Sequence, residues 1–316
     1  MFQLTNKVTI GGFILAGVVS VEIESGWEML TDTCKITLPA KIRHQGKFVN
    51  LAESRLINKG DSVKVELGYN NDNEVLFEGF VDNIEAGSPV TVLCQDWMWL
   101  LKREPQNLSY KAVTLKQLLK DTLPSGVELQ AVDVSLGQFR LTKATAAMAL
   151  EELKKAYYLH SWFRGNKLYA GLAYWPETSK THIFRFQSNI IDDGTELTFK
   201  SAEETKIKVR AVSMKPDNSK IELELGDPEG EERTLHFYNL ERADLEKAAN
   251  EEIARLRYDG YSGSFLTFGK PTVQHGDVVV IQDPQYGREG RYFVKQVQTA
   301  FGGSGYRQTI HLDRKA

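Results

Sequence analysis

The segment "NKGDSVKVELGYNNDNEVLFEGFVDNIEAG" (58–87) and the later segment "QHGDVVVIQDPQYGREGRYFVKQVQTAFGG" (274–303) are written to one plan. Each opens on Gly-Asp, runs into an apolar strand, breaks at a polar turn and returns through Phe-Val-x-x-Ile/Val. The returning residues are Phe80, Val81 and Ile84 in the first copy, and Phe293, Val294 and Val297 in the second. Gly supplies the positive φ that tight turns need, and Asp accepts hydrogen bonds from nearby backbone, so Gly-Asp before an apolar run marks a turn entering a strand. The spacing from Asp to Phe is 19 residues in one copy and 16 in the other, a difference that one shorter hairpin loop accounts for. The pair predicts a duplicated β unit. An enzyme with one active site has no obvious need of two similar faces, whereas an assembly protein does.

Around the first copy the chain reads as β structure by period-two alternation. Val19, Val21 and Ile23 alternate with Ser20, Glu22 and Glu24; Cys34, Ile36 and Leu38 do the same, as do Val63, Val65 and Leu67. "GGFILAGVV" (11–19) reads as two short strands around a turn, too short to span a bilayer and with no export signal before it, which predicts a protein kept in the cytoplasm. Cys34 and Cys94 have neither metal nor redox spacing and read as buried free thiols.

After Asp96 the period changes. Thr114 is placed to cap a helix with Leu115, Leu118, Leu119 and Leu123 on its apolar face and Pro124 at its end. Ala146, Leu150, Leu153 and Tyr157 mark a second helix, and Gly165-Asn166 a hairpin turn between aromatic strands. From about Phe184 the β pattern returns. Ile207, Val209 and Ala211 alternate with Lys206, Lys208 and Arg210, and Ile221, Leu223 and Leu225 alternate with Glu. The acidic stretch Glu222 to Glu232 reads as a solvent-facing hairpin. A further helix places Leu245, Ala249, Ile253 and Leu256 inward and ends at Gly260. "VVVI" (278–281) is apolar without alternation, the mark of a strand covered on both faces. The reading is a mainly β protein with an α+β insert: a first β-barrel domain over 1–96, an α/β insert over 97–180, and a second, related β-barrel domain with one helix over 181–316.

Residues that carry chemistry are scattered. The chain has 316 residues, 39 basic and 42 acidic, with no long run of one sign, so nothing marks a dedicated nucleic-acid surface. His44, His160, His182, His236, His275 and His311 show no metal-ligand spacing, and "GGSGY" near Gly302 precedes a strand rather than a helix, so no phosphate cradle is expected. The acid doublets Asp192-Asp193 and Glu203-Glu204 point their neighbours to opposite faces of a strand, unlike the paired acids of a glycosidase. Trp97 and Trp99, read as one strand face, and Trp162 form aromatic clusters suited to packing, subunit contact or sugar stacking. The residues therefore assign no catalytic, metal or cofactor site, and no cofactor.

Three phrases carry a resemblance. "VTLKQLLKDTL" (113–123), "ATAAMALEELKKAYYLHSWFRGNKLYAG" (144–171) and "PTVQHGDVVVIQDPQYGREGRYFVKQVQTAFGGSGYRQTIHL" (271–312) resemble the phage baseplate hub proteins of the gene D-like late control family. That family includes the Mu-type hub and the N-terminal hub part of type VI secretion spike proteins. The resemblance implies a structural, non-enzymatic role: a homotrimeric ring of a contractile tail or tail-like particle, assembled in the bacterial cytoplasm. Its expected partners are its own copies, a spike protein, the hexameric tail tube and baseplate proteins, with DNA passing but not specifically bound and no membrane insertion. The sequence ends after the last hub-like strand, so the spike is expected as a separate polypeptide. A hub of a type VI-like injection system is the neighbouring alternative, and a carbohydrate-active envelope protein the more distant one.

Overall fold

The computed structural model describes residues 3–15, 17–44, 47–51, 56–203, 205–215 and 219–316. Its spine is one long, mostly antiparallel sheet to which both Gly-Asp segments belong. The first β unit supplies β1 (Leu4–Ile10), β2 (Phe13–Leu15), β3 (Ser20–Gly26), β4 (Thr33–Leu38), the hairpin β5 (Lys41–His44) and β6 (Lys47–Asn50), β7 (Ser62–Tyr69), β8 (Asp72–Glu85) and β9 (Val90–Gln95). Its strands lie in the order β3-β4-β9-β8-β7-β1-β2. The alternation read in the sequence is the burial pattern observed: Val21, Ile23, Cys34, Ile36, Leu38, Val63, Val65 and Leu67 all enter one core, whereas Val19 stays exposed. Cys34 and Cys94 sit opposite each other on β4 and β9 as buried free thiols. Of "GGFILAGVV", only Phe13–Leu15 forms a strand of its own, hairpinned on β1; Ala16 lies outside the described residues.

The middle of the chain holds α1 (Met98–Leu101), β10 (Gln106–Thr114), α2 (Leu115–Thr122), β11 (Glu128–Ala131), β12 (Ser135–Ala144), α3 (Ala146–Tyr157), β13 (His160–Arg164), β14 (Lys167–Gly171) and a short 3-10 turn. The Thr114 hydroxyl accepts from the Gln117 N–H, and the Thr145 hydroxyl from the Met148 N–H, so both longer helices start on the threonines that the sequence places before them. The Trp97–Trp99 stretch, expected as strand, is the start of a helical turn. The Asp96 carboxylate accepts from the Met98 N–H and its carbonyl from the Trp99 N–H, which stops β9 and bends the chain. β10, β11 and β12 were not legible in the sequence, because β10 and β12 pair through three register shifts that destroy clean alternation.

The last part comprises β15 (Thr181–Arg185), β16 (Ile190–Lys200), β17 (Ile207–Met214), β18 (Lys220–Gly226), β19 (Glu231–Tyr238), α4 (Arg242–Leu256), β20 (Gly260–Phe268), β21 (Val278–Asp283), β22 (Arg288–Gly302) and β23 (Gly305–Lys315). The second β unit has the order β16-β20-β23-β22-β21-β15 around its own core of Phe184, Phe265, Tyr292, Val294 and Ile310. β21 is buried along its Val278–Ile281 run, as its unbroken apolar sequence requires. No ladder among the described residues closes either unit on itself. Between β16 and β20 the chain builds a separate three-stranded sheet, β18-β17-β19, covered by α4 through Leu245, Ala249 and Ile253. The acidic stretch is therefore not a hairpin: β18 pairs antiparallel and β19 parallel with the two sides of β17. Its glutamates face basic partners, Glu222 with Arg210 at 2.6 Å and Glu224 with Lys208 at 3.1 Å. α4 ends at Arg257 in extended conformation rather than at Gly260. Gly260 opens β20, where a Cβ would lie 2.6 Å from the Tyr292 hydroxyl, so a close approach explains that glycine.

Candidate functional site

The two Gly-Asp turns are built alike atom by atom. Gly60 and Gly276 have φ of +91° and +85°, the left-handed region that favours glycine. The Gly60 N–H donates to the Val81 carbonyl and the Gly276 N–H to the Val294 carbonyl, both at 2.8 Å. In return the Val81 N–H donates to Asp61 and the Val294 N–H to Asp277, both at 2.9 Å. Each aspartate carboxylate also accepts from the backbone N–H three residues earlier, that of Asn58 at 2.8 Å and of Gln274 at 2.9 Å. The pairing that follows has the same register, Ser62 opposite Phe80 and Val278 opposite Phe293. One β-bulge after Val81 and another after Val294 complete the match.

A ladder joins the units. β22 pairs with β21 only as far as Phe293, and beyond it the same edge, from Gln296 to Gly302, pairs with β3 from Gly26 to Ser20. At the far end of that hairpin Phe301 and Tyr306 enter the core of the first unit. Tyr69 donates from its hydroxyl to the Tyr306 carbonyl at 3.0 Å, and Lys270 pairs with Asp72 and with Glu74. On the outer face of the joint, Gln296 and Gln298 donate to Glu24 at 2.6 and 3.3 Å. That face forms a shallow concavity of about 710 Å³ in which Glu22, Glu24 and Asp82 meet Lys35 and Arg307.

Where the insert reaches this joint, charged groups are buried together. Asp32 accepts from the Ser25 hydroxyl at 2.5 Å and from the Gly26 N–H at 3.2 Å, and its own N–H donates to Asp96. Burial pushes the Asp32 carboxyl up to about 7 despite those hydrogen bonds. It also raises Asp96 well above the usual carboxylate range, with the neighbouring Asp32 charge adding to the effect. Arg164 ties the insert to the second unit by donating to the carbonyls of Thr178 and His275 at 3.1 and 2.9 Å. His275, fully enclosed beside Arg164, is held down to about 3 by burial first and by the guanidinium second. The cavity they share is about 80 Å³. With about 30 Å³ per liquid water, it has room for a few waters and none for a sugar ring.

The other candidates disperse. His182 contacts the Asp277 carboxylate at 3.0 Å, His160 meets the Trp27 ring edge-on, and His236 stacks on Tyr158. His311 lies on β23, and the side chain of His44 lies outside the described residues. Burial holds His160 and His236 down to about 4, so both are neutral at ordinary pH. Asp192 and Asp193 are exposed at the irregularity in β16; Glu203 is exposed in a turn, and Glu204 lies outside the described residues. Among the described residues no group of His, Cys, Asp and Glu is arranged to hold a metal, and no helix is long and apolar enough to cross a membrane. The aromatic clusters are packed: Trp162 stacks on Tyr169 beside Trp175 in a small buried core, and Phe80 stacks on Trp99. Sequence reasoning missed Asp32, Asp96 and Arg164, which are far apart in the chain and carry no motif.

The whole arrangement has close counterparts among solved structures. A tail protein from Neisseria meningitidis MC58 matches with a TM-score of 0.67 and 17% identity, over 99% of this chain and 96% of that one. The fold is that of a phage tail protein. A 43 kDa tail protein of prophage MuSo2 from Shewanella oneidensis shares this tail-protein fold with a TM-score of 0.65 and 15% identity, over 98% and 96% of the two chains. So does the E. coli c3393 protein, a type VI secretion system component described as similar to the T4 tail proteins gp27 and gp5, with a TM-score of 0.60 and 10% identity over 98% of this chain and 77% of that one. No family model and no curated protein matches the sequence. The likeness therefore resides in the tail-protein fold, at identities of 10–17%.

Proposed function

We propose that the protein is the baseplate hub of a contractile phage tail or tail-like particle, a structural protein without enzymatic activity. Three copies form a ring that joins a hexameric tail tube to a central spike. The division into domains over 1–96, 97–180 and 181–316 belongs to this reading. The observation that carries it is the repetition, within one chain, of the same strand order, turn bonds, register and bulge. Two like units per chain let three chains offer six like faces to the tube while keeping threefold symmetry towards the spike. The mixed, mildly acidic concave face around Glu22, Glu24 and Asp82 suits the wall of a passage, because a basic wall would retain DNA phosphates. The virion baseplate is the proposed location, with assembly in the bacterial cytoplasm.

Gel filtration coupled to light scattering tests the reading. A mass of three chains supports the ring, and a monomer at all concentrations, with and without a spike protein, overturns it. The likeness to the type VI component favours a second version of the same role, the hub of an injection system. A carbohydrate-active envelope protein is the outcome if the protein clears peptidoglycan suspensions.

A further inference from the structure

The internal joint specifies an external one. Eight strands run side by side without interruption, β16-β20-β23-β22-β3-β4-β9-β8, with the β22–β3 ladder in the middle. The strands at the two ends are the counterparts of the two strands at the joint. β8 matches β22, since each follows its Gly-Asp turn and carries the same bulge; β16 matches β3, since each begins the four-strand order of its unit. β7 leaves β8 at Phe80, just as β21 leaves β22 at Phe293. Past that point β22 takes β3 as its neighbour, whereas the same side of β8, from Asp82 to Glu85, has no ladder among the described residues. The outer side of β16 has none either. Such edges are templates for another strand.

We propose that β8 of one copy pairs antiparallel with β16 of the next copy, in the register of the β22–β3 joint, so that the eight-strand run continues from chain to chain. This rests on the ring reading and names its contact. The register follows from the ladders. Asn83 and Gln296, the first paired residues after the two bulges, stand opposite Leu93 and His311. Those residues stand opposite Lys35 and Ser264, which in turn stand opposite Glu22 and Glu196. Gln296 faces Gly26, Val297 faces Ser25 and Gln298 faces Glu24 within the chain. Asn83 therefore faces Lys200 of the next copy, Ile84 faces Phe199, and Glu85 faces Thr198. Ile84 and Phe199 are half-buried at the rims of their cores and complete one another's cover. Glu85 and Lys200 lie on the opposite face, diagonal to each other, with opposite charge. A flat edge with no such complement would be an aggregation hazard; here the complement is the chain's own other end.

The two joints differ in reach. The internal one extends to Gly302 and seats Phe301 and Tyr306, whereas β8 ends at Glu85 and the following Ala86-Gly87-Ser88-Pro89 carries no aromatic side chain. The contact between copies is the shorter and the more easily reversed.

The test uses the full chain with paired cysteines at exposed positions, Glu85→Cys with Thr198→Cys and Asn83→Cys with Lys200→Cys, treated with a short bifunctional thiol reagent. A register-shifted pair, Glu85→Cys with Phe199→Cys, points its side chains to opposite faces and serves as control, as do the single variants. The mass of each sample is measured in parallel by light scattering. The proposal expects covalent three-chain species from the in-register pairs, at least tenfold above the shifted pair and the singles. A three-chain mass without such cross-links overturns this joint and leaves the ring standing. A mass that stays monomeric at all concentrations, with and without a spike protein, overturns both.

Discussion

The two Gly-Asp units share a wiring diagram and differ in what surrounds it. Around Asp61 the turn is half-exposed, and among the described residues its carboxylate serves one backbone N–H. Around Asp277, only 2% exposed, the carboxylate accepts from the N–H groups of Gln274 and Lys180 and meets His182 as well. The first unit links β3 to β4 by a short turn, whereas the second inserts a whole sheet and α4 between the equivalent β16 and β20. The first places β1 antiparallel to β7, and the second places β15 parallel to β21. Conservation of the turn, bulge and register amid such differences shows which parts define the unit: those that aim β8 and β22 away from β7 and β21 and free an edge.

The largest effect is expected where one unit lodges in the other. Tyr306→Ala empties a fully buried site in the first unit's core and should cost about 3–5 kcal/mol, read as a lower first transition in chemical denaturation. An unchanged transition would mean that the hairpin tip does not hold the units together. Next comes the contrast between the two aspartates. Asp277→Ala leaves two backbone donors and His182 without an acceptor in a buried place and should cost about 2–3 kcal/mol, while Asp61→Ala at the same position of the plan should cost about 1 kcal/mol. Equal losses would remove the distinction drawn between the turns.

A pH series sharpens the comparison at the joint itself. Asp32 titrates near 3.8 unfolded and about 7 folded, so between those values the folded state holds the extra proton. Its contribution to stability therefore falls as pH rises from about 4 to about 7 and is flat beyond. His275, depressed to about 3, acts with the opposite sign, losing stability as pH falls below its unfolded value of 6.5. Asp32→Asn should raise the melting temperature relative to the unaltered protein at pH 8 and leave the two alike at pH 4; Glu24 and Arg164 stay in place as the charged surroundings. A difference that grows towards acid pH would contradict this sign. The smallest effect is expected at Arg210→Ala, whose partner Glu222 is exposed on the outlying sheet, with no measurable shift in melting temperature.

Much of the fold was legible because its strands are half-buried and alternate, and because glycine and aspartate advertise their turns. Val63, Val65 and Leu67, and the threonine cap at Thr114, gave their roles away in short windows. What stayed hidden depends on distance along the chain. Nothing near Phe301 announces that it packs in a core whose other members, Tyr306 apart, lie some two hundred residues or more before it. β18 and β19 looked like one hairpin because alternation reports facing, not neighbours; only the ladder shows β17 between them. Asp32 and Asp96 read as ordinary polar residues until β4 and β9 set them side by side at the joint.

The proposed role rests on a doubled unit letting a ring of three copies present a sixfold rim. Electron-microscopy averaging of the assembled particle, viewed down its axis, tests this most directly. The expected image has three copies of the chain at the centre and six similar β lobes around the passage. A chain lying off the axis, or any other number of copies around it, would contradict the account.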